Sequence, residues 1–409
     1  MKIAIFVDAF PVWTETFIIN QMTGLIDRGH DIEIYATGRR ESDSQHAVID
    51  RYNLVAKTHF LSDQPKNISD RIILVLALLF NDGRWKHLRT WSVFFNILKG
   101  RRKALPWNTL GLLSIALPNV LKKPYDILHC QFGTLGPRVL FLKQIGALHG
   151  KLVTSFRGHD ATQERYVNSN LYKELFMQGD LFFPVSRNLA DRLIVMGCPE
   201  GRIKVLHSGI DCKKFIFNGR ALINNELPKV VTIARFVEMK GLEFAIKAIS
   251  LLVSNGYEVS YTIIGDGILR PELENLIKSL NISEFVVLAG WKNHEEIVEI
   301  LESSHILLAP SVTAKNGETE GIPNAVKEAM AMGMPVLSTI HSGIPELVQD
   351  KVSGYLVAER DEKALAERLM HLIDHSVDWS KMGSAGRNFV ESEFDIEKLN
   401  TMLENYYEN

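Results

Sequence analysis

The sequence predicts an α/β protein made of two doubly wound parallel-sheet domains, and three observations carry that prediction. Strand-like runs of β-branched and aromatic residues alternate with longer amphipathic stretches, the pattern of βαβ units. The pattern lapses over "DCKKFIFNGRALINNELPK" and then restarts. A chain of 409 residues also exceeds what one ordinary core organises. The boundary is therefore set between 208 and 209, giving domains 1–208 and 209–390, with an amphipathic tail, 391–409, for which two places are open, back on the first domain or on the second.

In the first half, "KIAIFVD" is a buried strand followed by the helical "TETFIINQMTGLIDRG" and the strand "DIEIYAT". "YDILHCQF", "KLVTSF", "DLFFPVS" and "IKVLHSG" supply further strands. The second half repeats the scheme with "VVTIARF", the helix "GLEFAIKAISLLVSNG", and then "EVSYTIIGDG", "FVVLAGW", "HILLAPS", "MPVLST" and "SGYLVA". One lysine and a short apolar run that ends in a turn make the N-terminus a first strand rather than a leader, so a cytoplasmic protein is expected.

A formal net charge of −2 gives no global reason to expect nucleic acid as a partner. Cys130, Cys198 and Cys212 lie far apart and suit neither a disulfide framework nor a structural zinc site. The longest apolar run, "IILVLALLF" at 72–80, is too short for a bilayer, which needs about 20 residues. Region 71–123 interleaves Trp85, Trp91, Phe94, Phe95 and Trp107 with lysines and arginines, Arg101, Arg102 and Lys103 among them. Two readings stand: a surface that lies on an anionic membrane, placing the protein peripherally on the inner face of the plasma membrane, or a helix pair with one buried and one solvated face.

The stretch "ETEGIPNAVKEAMAMGMPVLST", 318–339, sets Glu320 and Glu328 around a Gly-Ile-Pro turn where a helix begins. Pro323 suits the first turn of that helix and Gly333 its stop. Amides at such a helix start favour a bound phosphate. Two carboxylates beside a phosphate repel it unless they contact hydroxyls instead and cations shield the phosphate. Arg235 and Lys240, after the strand "VVTIARF", are placed where ligands of parallel sheets bind, although either one alone reads as a surface charge. A capping pattern on a solvated helix is the bland reading of the glutamates.

These blocks resemble retaining glycosyltransferases of family 4. The glutamate pair is similar to that family's signature, "HSGIDCKKF" to its Asn-Gly-Ile-Asp segment, "IARFVEMKG" to its diphosphate-binding loop, and "IIGDGILRPELE" to its Gly-Asp-Gly strand end. "DAFPVWTETFI" and "DILHCQFG" resemble segments of bacterial exopolysaccharide enzymes such as those of colanic acid assembly. The resemblance implies the GT-B fold, two Rossmann-like domains facing across a cleft. It also implies transfer of a sugar, with retention, from a UDP- or GDP-linked donor to a saccharide or lipid-linked saccharide, without metal or other cofactor.

By that resemblance Glu328 holds the ribose, while Glu320 and the backbone of Gly321, Ile322, Pro323 and Asn324 hold the transferred sugar and its phosphate. Gly265 approaches the donor, and Arg235 and Lys240 stabilise the leaving diphosphate. Thr14, Glu15 and Thr16 face the cleft on the acceptor side or form a plain N-cap. His129 stands with them, although a lone histidine there also reads as structural. The family's Phe-His-Gly-x-Asp block appears as "FRGHDAT", with Arg157 at the histidine that contacts the sugar and His159 two residues later. Arg157 is then expected to meet an acidic sugar, or His159 to take over. Two rivals remain: an inactive nucleotide-binding partner or sensor, and a phosphorolysing or epimerising relative.

Overall fold

Continuous apolar runs make strands buried on both faces, and this chain places them at the centres of two parallel sheets. The computed structural model describes residues 1–12, 15–40, 47–61, 67–80, 85–100, 117–120, 122–223 and 226–409. The first sheet comprises β1 (Lys2–Phe10), β2 (Asp31–Arg39), β3 (Thr58–Phe60), β4 (Ile127–Cys130), β5 (Lys151–Phe156) and β6 (Leu181–Pro184) in the order β3-β2-β1-β4-β5-β6. The second comprises β7 (Lys229–Ile233), β8 (Ser260–Ile264), β9 (Val286–Gly290), β10 (Ile306–Ala309), β11 (Val336–Thr339) and β12 (Gly354–Val357), ordered β12-β11-β10-β7-β8-β9. Each sheet has the doubly wound order in which strand sequence reverses beside its first strand, between β1 and β4 and between β7 and β10.

Helix α1 (Thr16–Asp27) follows β1, and α2 (Ile68–Phe80) and α3 (Leu88–Gly100) lie between β3 and β4. α4 (Gly136–Gln144) and α5 (Arg187–Val195) complete the first half as used below. In the second half come α6 (Leu242–Ser254), α7 (Arg270–Ser279), α8 (His294–Ser303), α9 (Asn324–Ala331), α10 (Glu362–Asp374) and α11 (Trp379–Glu393). The terminal α12 (Ile396–Glu408) leaves this half and packs on α1. Its buried Leu399, Leu403 and Tyr407 recur every fourth residue, one helical face. Glu404 on the same helix meets Arg28 at 3.2 Å and His30 at 2.6 Å.

The chain thus crosses between halves twice, and the crossings run side by side. The Ile210 amide donates to the Phe394 carbonyl and the Ile396 amide to the Ile210 carbonyl, each at 2.9 Å. Two details differ from expectation. "IKVLHSG" forms no ladder strand; a bridge between Phe182 and Ile203 holds it beside β6. The three-residue β3 was not expected, because so short a run carries no periodicity.

Candidate active site

The clearest site lies at the switch point of the second sheet. Beyond the carboxyl ends of β7 and β10 a crevice is lined by Ala234, Lys240, Pro310, Ser311, Pro323 and Ala325, among others. Pro323 is the cap residue of α9, with φ −65° already helical, and the helix runs from Asn324 until Gly333, at φ +80°, lets the chain turn away. The amides of Asn324, Ala325 and Val326 fall in the first turn, where no intrahelical carbonyl reaches them. Those amides and the helix dipole give this wall a positive potential.

Glu320 lies in the loop before that helix and is 9 % exposed. Its carboxylate is ion-paired with Lys240, which ends a short helical turn, Glu238–Lys240, ahead of α6. Its backbone is gripped from both sides: the amide donates to His341 Nε2 at 3.1 Å, and the carbonyl accepts from Ser342 Oγ at 2.6 Å. Glu328 is half-buried on α9, and its side chain has no hydrogen bond or ion pair among the described residues. Burial pushes its carboxyl up to about 7, against the pull of Lys327. Arg235 lies two residues beyond β7, exposed, and close enough to Glu15 of the other half to act on that carboxyl electrostatically. The loop thus brings Glu320 to Lys240 beside the α9 start, Glu328 lies a turn further along that helix, and Arg235 faces the first domain.

Gly265 closes β8 with φ +127°, and a methyl group there would lie 1.9 Å from the Ala234 carbonyl oxygen, so only glycine lets the β7 and β8 exits approach. Gly321 does the same between the halves: a methyl group on it would stand 2.5 Å from the Arg157 carbonyl oxygen. Glu346 crosses the same seam, its oxygens accepting the Arg187 and Asn188 amides at 2.8 and 3.0 Å at the start of α5. Gln163 Nε2 donates to Glu318 at 2.9 Å, and the Thr319 amide to Thr162 Oγ1 at 3.1 Å.

On the first domain's side, Arg157 and His129 are both engaged within the protein. Arg157 Nε donates to the Gln131 carbonyl at 3.0 Å, one terminal nitrogen to Gln131 Oε1, and the other to Ser208 Oγ at 2.8 Å, while the guanidinium stacks 4.4 Å from the centre of the Phe17 ring. His129 is fully buried, with Nδ1 against the Tyr407 hydroxyl at 2.6 Å and Nε2 against Ser155 Oγ at 2.8 Å, which leaves no nitrogen for an acceptor. Burial and nearby Arg157 press its imidazole down to about 3, so it stays neutral.

His159 opens the turn His159–Thr162, half-buried beside Phe132, with Asp8 within electrostatic range. Asp160 next to it is fully buried and accepts the Arg157, Gly158 and Gly133 amides at 2.9, 3.0 and 2.7 Å, which fixes the loop on the β4 exit. Glu15 occupies the cap position of α1 without a capping bond from its side chain, and Thr16 is the first helical residue. Burial raises the Glu15 carboxyl to about 7 despite Arg157, Arg40 and Arg235. Thr14 lies outside the described residues.

Sequence reasoning missed three participants. Lys327, fully buried, sends Nζ to the Ser208 carbonyl at 2.5 Å, and burial presses its amine down to about 7. Ser208 so ties Arg157 of the first domain to Lys327 of the second. His341 and Ser342 hold Glu320, and the only signal was their place in the loop after β11. Among the described residues no three His, Cys, Asp or Glu side chains gather as a metal site.

Comparison with known proteins matches this architecture half by half. Residues 14–214 match the model "Glycosyltransferase Family 4", and residues 214–389 match "Glycosyl transferases group 1". The chain is 39 % identical over 404 residues to the amylovoran biosynthesis glycosyltransferase AmsK of Erwinia amylovora, covering 97 % of this chain and 96 % of that one. It is 34 % identical to a Salmonella typhimurium protein, WcaL, whose name assigns it provisionally to colanic acid biosynthesis, covering 98 % of each. Anabaena Alr3699/HepE, solved with UDP and glucose, superposes with a TM-score of 0.70 at 16 % identity over 99 % of both chains, a likeness of fold. With full-length identity and both domains matched in order, this GT-B chain belongs to the glycosyltransferases that join a Family 4 domain to a group 1 domain.

Proposed function

We propose that the protein moves a sugar from a UDP- or GDP-linked donor to a lipid-linked saccharide acceptor, with retention and without metal, in assembly of an exopolysaccharide. The observation that carries the donor site is the pairing of Glu320 with Lys240 beside the α9 start, at the switch-point crevice that Lys240 and Pro323 line, with the unpartnered Glu328 carboxylate a turn further along that helix. A carboxylate at the ionisation threshold and without a partner suits two ribose hydroxyls. The diphosphate takes the α9 amides, Lys240 and Arg235; these cations take the negative charge that builds on the leaving oxygen, and the reading therefore assigns no metal. Glu320, relieved of Lys240, turns to the hydroxyls of the transferred sugar.

The kinship with an amylovoran enzyme supports the exopolysaccharide assignment, and the resemblance of the glutamate pair supports retention. Retention then means that the acceptor hydroxyl approaches the anomeric carbon from the side the diphosphate leaves, and neither glutamate serves as nucleophile or acid.

A lipid-linked acceptor calls for an enzyme at the bilayer surface. Helix α2 exposes Ile72, Ile73, Leu76 and Phe80 while turning Val75 and Leu79 inward, and α3 exposes Leu88, Trp91 and Phe95 while burying Val93. Lys86 and Arg89 flank that stripe, and residues 83–125 carry nine lysines and arginines and no aspartate or glutamate. Arg101, Arg102, Lys103 and Trp107 lie outside the described residues. Apolar stripe and unopposed positive charge together fit an anionic lipid surface. The functional test is transfer from each of a panel of UDP- and GDP-sugars to polyprenyl-diphosphate saccharides, with the anomeric configuration of the product read by NMR. An inverted product contradicts retention, and donor breakdown that no lipid-linked saccharide accelerates contradicts the acceptor class.

A further inference from the structure

We infer that His341, oriented by Glu359, is a positioning residue that sets the place of Glu320 against the transferred sugar. The inference deepens the proposed function and rests on its assignment of Glu320.

Hydrogen-bond direction decides the state of the imidazole. The Glu320 amide at 3.1 Å from His341 Nε2 can only donate, so Nε2 accepts and the ring proton sits on Nδ1. Nδ1 in turn lies 2.6 Å from Glu359 Oε1, a carboxylate that takes that proton's hydrogen bond. Glu359, two residues past β12, is itself fixed: its Oε2 accepts the Thr313 amide at 2.8 Å and its Oε1 the Thr313 hydroxyl at 3.2 Å. Burial raises its carboxyl, but Thr313 and His341 outweigh that and hold it below the ordinary carboxylate range. Carboxylate, imidazole and peptide therefore form one directed chain from the β12 exit to the catalytic loop.

The chain has features beyond those of a packed core histidine. His341 is 1 % exposed, and both its nitrogens are spent on this line. Its neighbour Ser342 adopts φ +46°, a left-handed conformation rare outside glycine, and with it reaches the Glu320 carbonyl at 2.6 Å. His341 and Ser342 so take the two backbone groups of one residue, while Lys240 takes its carboxylate. When the donor draws Lys240 away, the backbone grip is what keeps Glu320 in register. A displacement of about 1 Å at such a group costs on the order of a hundredfold in rate.

The test compares full-length wild type with His341→Leu, His341→Gln and Glu359→Gln. Three quantities are read: UDP affinity by calorimetry, Tm, and nucleoside-diphosphate release from the UDP- or GDP-sugar that the wild type turns over best. His341→Leu is expected to lower kcat by about tenfold or more, with UDP affinity and Tm close to wild type. His341→Gln restores most of kcat, because its amide oxygen lies near the position of Nε2. Glu359→Gln behaves like His341→Leu, since its amide group must face either the Thr313 amide or His341 and there forces a proton onto Nε2. That variant also carries the test should His341→Leu not fold. Wild-type kcat in His341→Leu and Glu359→Gln overturns the inference. So does a joint fall of kcat, UDP affinity and Tm that His341→Gln fails to repair, the mark of a merely structural histidine. A wild type that releases nothing from any donor contradicts the assignment of Glu320 itself, and the inference falls with it.

Discussion

The Arg157 guanidinium donates to Ser208 Oγ at 2.8 Å, so the residue that stands where the family resemblance placed a sugar-binding histidine instead holds the strand of chain joining the two domains. Lys327 grips the same serine through its carbonyl. The arginine at the histidine position therefore bears on how the halves are joined.

Arg157→Ala should accordingly act on stability. It leaves Gln131 and Ser208 without a charged donor, a loss of about 1.5–3 kcal/mol, and lowers Tm while UDP affinity stays near wild type. Differential scanning calorimetry beside a UDP titration checks this. Unchanged Tm with lost turnover would return Arg157 to the substrate.

Lys240→Met removes the ionic partner of Glu320 and the cation proposed for the diphosphate. Steady-state kinetics should show kcat lowered by about 10²–10³, a larger effect than that on KM. A change in KM alone would mean that Lys240 binds donor and transition state equally.

The role proposed for Glu328 makes nucleotide binding depend on pH. Its carboxyl titrates near 7 in the folded protein against an ordinary 4.5, so the stability it contributes is fully present below 4.5 and is lost as pH rises through 7. Glu15, also raised to about 7, adds in the same direction. Lys327, lowered from 10.5 to about 7, opposes them, its contribution present above 10.5 and lost as pH falls through 7. Ribose hydroxyls favour the ionised carboxylate, so UDP affinity should rise about tenfold between about pH 6 and about pH 8, with proton release on binding. Calorimetry in two buffers of different ionisation enthalpy measures both effects. Glu328→Gln should flatten the profile, and a flat wild-type profile would refute the link.

Membrane contact through α2 and α3 predicts flotation with phosphatidylglycerol vesicles and weak flotation with phosphatidylcholine alone. Phe95→Glu with Arg89→Glu, both exposed, should abolish it without lowering Tm. Equal flotation of variant and wild type would remove the membrane face, and a dimer that the variant dissolves would assign the stripe to a second copy.

The second sheet was readable strand by strand because all six of its strands are apolar runs bounded by turns. The helix start after Gly321, Ile322 and Pro323 was readable because the residues that build it adjoin in sequence. The hold of Arg157 on Ser208 was not readable, because the two lie 51 residues apart. For His129 a structural role stood open, but its partner Tyr407 is 278 residues away, on a terminal helix whose landing place no local pattern encodes. His341 escaped for the same reason: a histidine after a strand looks ordinary until the loop it supports is folded against it.

The central claim is that the crevice before α9 binds a nucleoside-diphosphate sugar through Glu328. The most direct measurement is isothermal calorimetry of the wild type and of Glu328→Ala against UDP- and GDP-sugars. Saturable binding of one nucleotide class, weakened about tenfold or more in Glu328→Ala, is the predicted result. Equal affinity in the two proteins, or binding by neither to any donor, would contradict the account.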